Sequence, residues 1–293
     1  MKNILNIDVP IDNKVFDIMK EQYINLRLSN LELRYQEKLK DIHEYLSRNN
    51  IKKVVIGFSG GADSTLVIRM LIEVRRLFDY FFEIHAFSIG FDGNTDTYEN
   101  IDVEFIKSQQ NSFQTNTFGN YFYNVNLPNI SLNVSSSLPI EIQHQHNYAY
   151  RYTYLFTQAQ LLGGITIGTT NSDELSYIGW FGKNSDMMVD LQFIADFHKF
   201  EIIYLLEDKF RIQIYDVPKG NLLDGKTDVE CFGTDYDTLS FYSYCMIKKN
   251  VLFSIKSLDD LHLKNKHKYY GQTFNPYFIK NDEYFLLTNR IPC

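Results

Sequence analysis

The stretch Val54-Val55-Ile56-Gly57-Phe58-Ser59-Gly60-Gly61-Ala62-Asp63-Ser64-Thr65, continued by Leu66-Val67-Ile68 and Met70-Leu71-Ile72, decides the fold. Four apolar or β-branched residues lead into a Ser-Gly-Gly turn, and beyond it Leu66, Met70 and Val74 recur at helical spacing. The reading is strand, tight loop, helix. Such a loop is a phosphate cradle: glycines admit an anion close to the backbone, the loop amides point into the turn, and the helix starts with its positive end toward the same point. Ser59 and Ser64 add hydroxyl donors at the rim. Asp63 is an anion in a place built for anions, which makes chemical sense if a divalent cation lies between it and the phosphates.

The loop lacks the G-x-x-x-x-G-K-[ST] of a Walker A motif, and it lacks G-x-G-x-x-G. Ser59-Gly60-Gly61-Ala62-Asp63-Ser64 instead resembles the SGGxDS loop of the N-type ATP pyrophosphatases, which adenylate a substrate and release pyrophosphate. The plain alternative is an ordinary strand-turn-helix connection with an Asp in the first helical turn, where Asp is favoured anyway.

Composition narrows the class. The 293 residues suit one large α/β domain with extensions, and 44% hydrophobic with 15% aromatic residues supply ample core. A net charge of −7 and a pI near 5.5 speak against nucleic acid as a partner. Cys231, Cys245 and Cys293 lack metal-binding spacing, and Met1-Lys2-Asn3-Ile4-Leu5-Asn6 lacks the apolar core of a signal peptide, so the expected setting is reducing and cytoplasmic. No apolar run is long enough for a membrane helix.

Residues 1–50 carry Phe16, Met19, Tyr23, Leu26 and then Leu31, Tyr35, Leu39, Ile42 and Leu46 at helical spacing, which predicts an N-terminal helical segment of two helices. After the loop and its helix, Phe82–Ile89 reads as a second strand, Ile101–Ser108 as amphipathic helix and Tyr121–Val125 as a third strand. Ser135-Ser136-Ser137 reads as loop and Tyr148–Leu162 as helix. Ile165-Thr166-Ile167-Gly168-Thr169-Thr170-Asn171 then repeats the opening design, a short β-branched strand running into small residues, and Ser172-Asp173-Glu174 follows. Alternation of strands and helices predicts a doubly wound parallel α/β sheet flanked by helices, Rossmann-like, with its ligand site at the carboxyl ends of the strands.

With these segments placed, the chain resembles the ammonia-dependent NAD synthetases, which make NAD from deamido-NAD, ATP and ammonia. The likeness is carried by the SGGADS loop, Gly168–Asp190 and Pro218–Asp237, and it implies a core over 51–250 with a tail, 251–293, completing the substrate site. It implies ATP contacts at Gly57, Ser59, Gly60, Gly61, Asp63, Ser64, Thr169, Lys199 and Lys219. Gly168-Thr169-Thr170-Asn171-Ser172-Asp173-Glu174 is similar to the family's GTxxxxE, which makes Glu174 the second Mg²⁺ ligand beside Asp63 and Lys199 the cation on the phosphates. Asp63, Glu174 and Lys199 are thus the implied catalytic set. Asn147 and Arg151 fit an N-x-x-x-R contact to deamido-NAD, Lys183 and Asp190 fit a K-x-G-D-x-x-x-D loop, and His267-Lys268 fits a terminal H-K pair. The family also implies a homodimer, with the aromatic helix Tyr148–Phe156 compatible with an interface, though core packing explains those aromatics equally well.

The departures cluster on the acceptor side. Thr153 stands where the family has a second Arg, Phe87-Ser88-Ile89 lacks the Arg that packs on adenine, Lys219 replaces a hydroxyl, and Ser185, Met187 and Met188 replace loop glycines. An ATP-dependent amide ligase acting on deamido-NAD is the leading expectation. A sibling ligase for another carboxylate, a tRNA-modifying or sulfur-transferring enzyme and a decayed nucleotide-binding homologue are the alternatives. No Cys precedes Cys231, so free ammonia or a separate supplier is the expected nitrogen source.

Overall fold

The Val54–Ile56 run forms one of the two central strands of a six-stranded sheet. The computed structural model describes residues 13–91, 119–128, 140–213, 228–248, 254–269 and 277–278. Its strands are β1 (Lys53–Gly57), β2 (Glu83–Phe91), β3 (Asn120–Leu127), β4 (Ile165–Gly168), β5 (Leu191–Gln192) and β6 (Tyr277–Phe278). They lie in the order β3-β2-β1-β4-β5-β6 with every neighbouring pair parallel. The chain winds outward from β1 in one direction and from β4 in the other, so the crevice of a doubly wound sheet opens at the carboxyl ends of these two strands. Val54 pairs with Ile165 and Ile56 with Ile167, which sets the loops after both strands side by side.

Alternation along β1 builds two layers of core. Val54 and Ile56 join Leu66, Met70 and Val74 of α3 (Ala62–Phe78) and Leu31, Tyr35, Leu39, Ile42 and Leu46 of α2 (Leu31–Arg48) on one face. Val55 points the other way, with Phe87, Leu155 and Ala159, onto α4 (Ile140–Leu162). Period-2 burial on a strand between helical layers is what a parallel sheet covered on both faces requires.

The expected strands are all present, and α4 starts eight residues before Tyr148, because Gln143 and Gln145 favour helix without contributing an apolar stripe. The two-residue strands β5 and β6 were not anticipated; runs that short carry no period. Residues 101–108 and 135–137 lie outside the described residues. No helix among the described residues is long and apolar enough to cross a membrane.

Both N-terminal helices were expected, and they are α1 (Asn13–Ser29) and α2. Their cations grip the turn at 196–201. Arg27 donates to both carboxylate oxygens of Glu201, at 2.8 and 2.9 Å, and to the Asp196 carbonyl at 2.9 Å. Arg34 also donates to Glu201, and Lys38, 1% exposed, pairs with Asp196 at 2.8 Å. Burial alone would push the Glu201 carboxyl up, but the Arg27 and Arg34 guanidiniums more than offset it and hold the group below its ordinary value of 4.5. A depressed acid stabilises the fold above its unfolded value, and that contribution disappears as pH falls through the folded one. Urea midpoints should therefore fall on acidification below about pH 4.5 by less in Glu201→Gln than in the parent chain. Lys38→Met leaves the Asp196 carboxylate buried without its cation, and equilibrium unfolding should register a loss of about 3–5 kcal/mol.

Candidate active site

The loop after β1 is tied to β2 before it reaches the glycines. Phe58 N–H donates to the Phe87 carbonyl at 2.8 Å, and the Ser88 hydroxyl donates to the Phe58 carbonyl at 2.8 Å. Gly60 then turns at φ +78°, a region that side chains disfavour. Ser59 accepts from Gly61 N–H at 3.3 Å, Ser64 donates to the Gly61 carbonyl at 3.2 Å, and the two hydroxyls stand 3.3 Å apart. The loop thus closes on itself at the start of α3, whose N-cap is Gly61 and whose first turn contains Asp63.

The loop after β4 supplies the partner. Gly168 packs on the carboxamide of buried Gln192, which a Cβ would strike. Gln192 in turn donates to the Thr170 hydroxyl at 3.2 Å and to the Asp186 carbonyl at 2.8 Å. Asn171 caps α5 (Ser172–Leu175): its side-chain oxygen accepts from Asp173 N–H at 2.9 Å and Glu174 N–H at 3.1 Å, while its own N–H donates to Glu174 Oε2 at 3.2 Å. The Asn171 amide then donates to Asp63 Oδ1 at 3.0 Å. One buried side chain therefore touches both implied metal ligands. Asn171 was not singled out from sequence, although an Asn three residues before a Glu is a capping-box signal.

Lys199 opens α6 (Lys199–Tyr204) and donates its ammonium to Asp63 Oδ2. The same ammonium lies 5.6 Å from the centre of the Tyr236 ring, at the start of α8 (Tyr236–Lys248), which follows α7 (Asp228–Phe232). Lys199 thus meets Asp63 directly, and Glu174 is joined to Asp63 through Asn171. Among the described residues no group of three or more His, Cys, Asp or Glu forms a ready metal cage. Two hard carboxylates, one already balanced by a cation, nevertheless suit Mg²⁺, which keeps most of its shell for phosphates and water.

The acceptor-side residues are divided. Asn147 and Arg151 lie one turn apart on α4; the buried Asn147 Oδ1 has no hydrogen-bond partner among the described residues, and Arg151 stacks 5.8 Å from the Tyr148 ring. Lys183 is half-buried in the loop between α5 and β5. Asp190, expected to hold substrate, accepts at Oδ2 from Thr166 of β4, at 2.7 Å from its N–H and 2.8 Å from its hydroxyl. The loop's inner anchor is Asp186, which accepts from Gly182 N–H at 2.8 Å, the Ser185 hydroxyl at 3.2 Å and the Tyr152 hydroxyl at 2.9 Å. Burial and the neighbouring Asp186 raise the Tyr152 phenol well above its ordinary range. Lys268, ending the turn after α9 (Lys256–Asn265), donates to the Gly179 carbonyl at 3.1 Å, and burial lowers its ammonium while Asp186 opposes that shift. The His267 side chain and Lys219, with the rest of Pro218–Asp224, lie outside the described residues.

Replacing Asn171 separates its two duties. Asn171→Ala should cost about 1 kcal/mol for the lost cap, read from urea unfolding. Asn171→Ser keeps a capping oxygen and should regain most of that stability without restoring the bond to Asp63. A Ser variant no more stable than the Ala variant would show that the cap is not what the Asn contributes.

The chain matches the family described as NAD synthase over residues 34–81 and 125–268. A curated relative, the NH(3)-dependent NAD(+) synthetase of Mycoplasma genitalium, is 26% identical over 245 residues, covering 81% of this chain and 93% of that one. Two solved structures share the fold: an NMN synthetase from Francisella tularensis, with TM-score 0.66 and 19% identity over 81% of this chain and 95% of that one, and an NH3-dependent NAD synthetase from Campylobacter jejuni, with TM-score 0.57 and 18% identity over the same shares. The family match spans more than half of the chain and includes both strand-end loops that meet at Asp63, so the chain belongs to the NAD synthase family.

Proposed function

We propose that this chain is an ATP-dependent amide ligase that adenylates the carboxylate of deamido-NAD and amidates it with ammonia, giving NAD, AMP and pyrophosphate. The observation that carries the reading is the meeting of Asp63, Asn171 and Lys199 at the switch point of the sheet, directly behind the Ser59–Ser64 loop. The family match and the curated relative support the same reaction.

The chain's own groups divide the work. The Ser59–Gly61 amides and the first turn of α3 receive phosphate oxygens. Lys199 exchanges the Asp63 carboxylate for the triphosphate, where its charge offsets what accumulates on the departing pyrophosphate. Asp63 and Glu174 would hold Mg²⁺, which when bound neutralises phosphate charge and orients the nucleotide. The substrate carboxylate oxygen bonds to the α-phosphorus as the bond to the β-phosphate oxygen breaks. Ammonia then bonds to the acyl carbon, AMP departs with the C–O electron pair, and the nitrogen loses one proton to solvent. No protein nucleophile is needed, and the task of the loop anchored by Asp186 is to keep water from the acyl-adenylate. A homodimer in a cytoplasmic setting belongs to the same reading.

A second acceptor merits its own assay, because Thr153 and exposed Met188 depart from the family's pattern on that side. The Francisella relative carries the name NMN synthetase, so the carboxylate counterpart of NMN is the competing substrate to supply. Incubation with ATP, Mg²⁺ and ammonium should yield NAD and AMP in equal amounts from deamido-NAD; AMP formed only with the mononucleotide would reassign the acceptor. Asp63→Asn should slow pyrophosphate release at least about 10²-fold, the scale of losing one electrostatic stabiliser. Unchanged release would overturn the metal assignment.

A further inference from the structure

Behind Lys199, away from the crevice, lies a run of buried polar groups that the reaction as described does not use. Lys199 N–H donates to Asp173 Oδ2 at 2.8 Å. Asp173 Oδ1 stands 2.7 Å from His198 Nδ1 and 2.8 Å from the Ser240 hydroxyl, whose single proton it shares with the Tyr236 carbonyl at 2.7 Å. Tyr23 Oη lies 2.7 Å from His198 Nε2. His198 and Ser240 are fully buried, Asp173 is 1% exposed and Tyr23 8%.

Burying a carboxylate, an imidazole and two hydroxyls together is costly unless each satisfies the others. One assignment does so completely: the Tyr23 hydroxyl donates to Nε2, and Nδ1–H donates to Asp173. Tyr23 thereby selects the tautomer that lets His198 serve Asp173. Asp173 in turn holds the backbone of Lys199, and with it the base of the ammonium-bearing side chain that reaches Asp63. The short helix α5 thus sets the Glu174 carboxylate on the Asn171 N–H and the Asp173 carboxylate on Lys199. Apolar residues of similar volume would fill the space without the desolvation cost, so packing alone does not account for the arrangement.

We propose that Tyr23 and His198 are positioning residues for Lys199, acting through Asp173, so that α1 forms part of the ATP site. The inference rests on the reading that Lys199 engages the nucleotide phosphates. Tyr23 lies outside the segments 34–81 and 125–268 that match the family, which makes this a contribution from a part of the chain that the match does not cover. Arg27, one turn further along α1, grips the same 196–201 turn from its other side.

Tyr23→Phe is the cleanest test, since it removes one oxygen and leaves the ring on Tyr244 and Phe241, with centroids 4.7 and 5.6 Å away. In the full chain, kcat/KM for ATP should fall about tenfold, the lower end of what the supporting shell of a site contributes. ATP affinity measured by calorimetry should weaken alongside, while the KM for ammonia stays unchanged. His198→Gln, which keeps one donor and one acceptor, should retain more ATP affinity than His198→Leu. Should Tyr23→Phe not fold, Ser240→Ala deletes a different bond to Asp173 and carries the same expectation. A folded Tyr23→Phe with unaltered ATP affinity and kcat/KM would overturn the inference while the reading of Lys199 stands. If Lys199→Met leaves ATP affinity unaltered, the reading of Lys199 itself falls, and this inference with it.

Discussion

The Asp63 carboxylate is the point on which the two halves of the sheet converge. One oxygen accepts from Asn171, at the end of β4, and the other from Lys199, at the start of α6. A carboxylate half-sunk at the end of a helix is tolerable only if its charge is answered, and here a cation and an amide dipole answer it. The positive end of α3 adds to that balance, because Asp63 sits in its first turn. Carboxylate and ammonium are therefore set against each other at the mouth of the loop, each answering the other's charge.

Holding Lys199 in place demands more than α6 supplies. That helix has six residues before it loosens into the wider turn Leu205–Lys209, and the N–H of its first residue, as in any helix, has no partner within it. The missing restraint comes from outside: Asp173 from α5, Ser240 from α8, Arg27 and Tyr23 from α1, and Arg34 and Lys38 from α2. Four elements distant in sequence converge on one six-residue turn. The ion pairs among them are buried, so they contribute specificity of placement more than net stability, and removing one partner exposes the full desolvation cost of the other.

How much of this was legible follows from the range of each signal. β1, its loop, α3 and β4 are declared by neighbours within about a dozen residues, through apolar alternation, glycines and helical spacing. The parallel topology then places the two strand ends together without further information, which is why the loops carrying Asp63 and Glu174 could be set side by side from sequence alone. Asn171 advertised itself only as a helix cap, and its amide contact with Asp63 spans 108 positions. The links from Tyr23 to His198 and from His198 to Asp173 span 175 and 25 positions, and nothing local in the sequence marks them. Asp190 shows a contact that spacing did not announce: the register that sets Ile167 beside Leu191 also sets Asp190 beside Thr166, whose N–H and hydroxyl its Oδ2 accepts.

The same distinction sorts the three positions where glycine was expected in the Lys183–Asp190 loop. Ser185, 5% exposed, donates to Asp186 and helps close the turn on Gly182. Met187, 7% exposed, packs with Leu175, Phe181 and Ala195 in a small apolar cluster under the loop. Neither side chain is spare, since each replaces the backbone freedom of glycine with a contact that holds the loop in one shape. Met188, at 39% exposed, is the member of the three that faces outward. A loop stiffened from beneath by Met187, tied to α4 through Tyr152 and tied to β5 through Gln192 has little freedom to reshape itself around an acceptor. What the fixed backbone presents outward is then set by side chains such as Met188, and not by rearrangement of the loop.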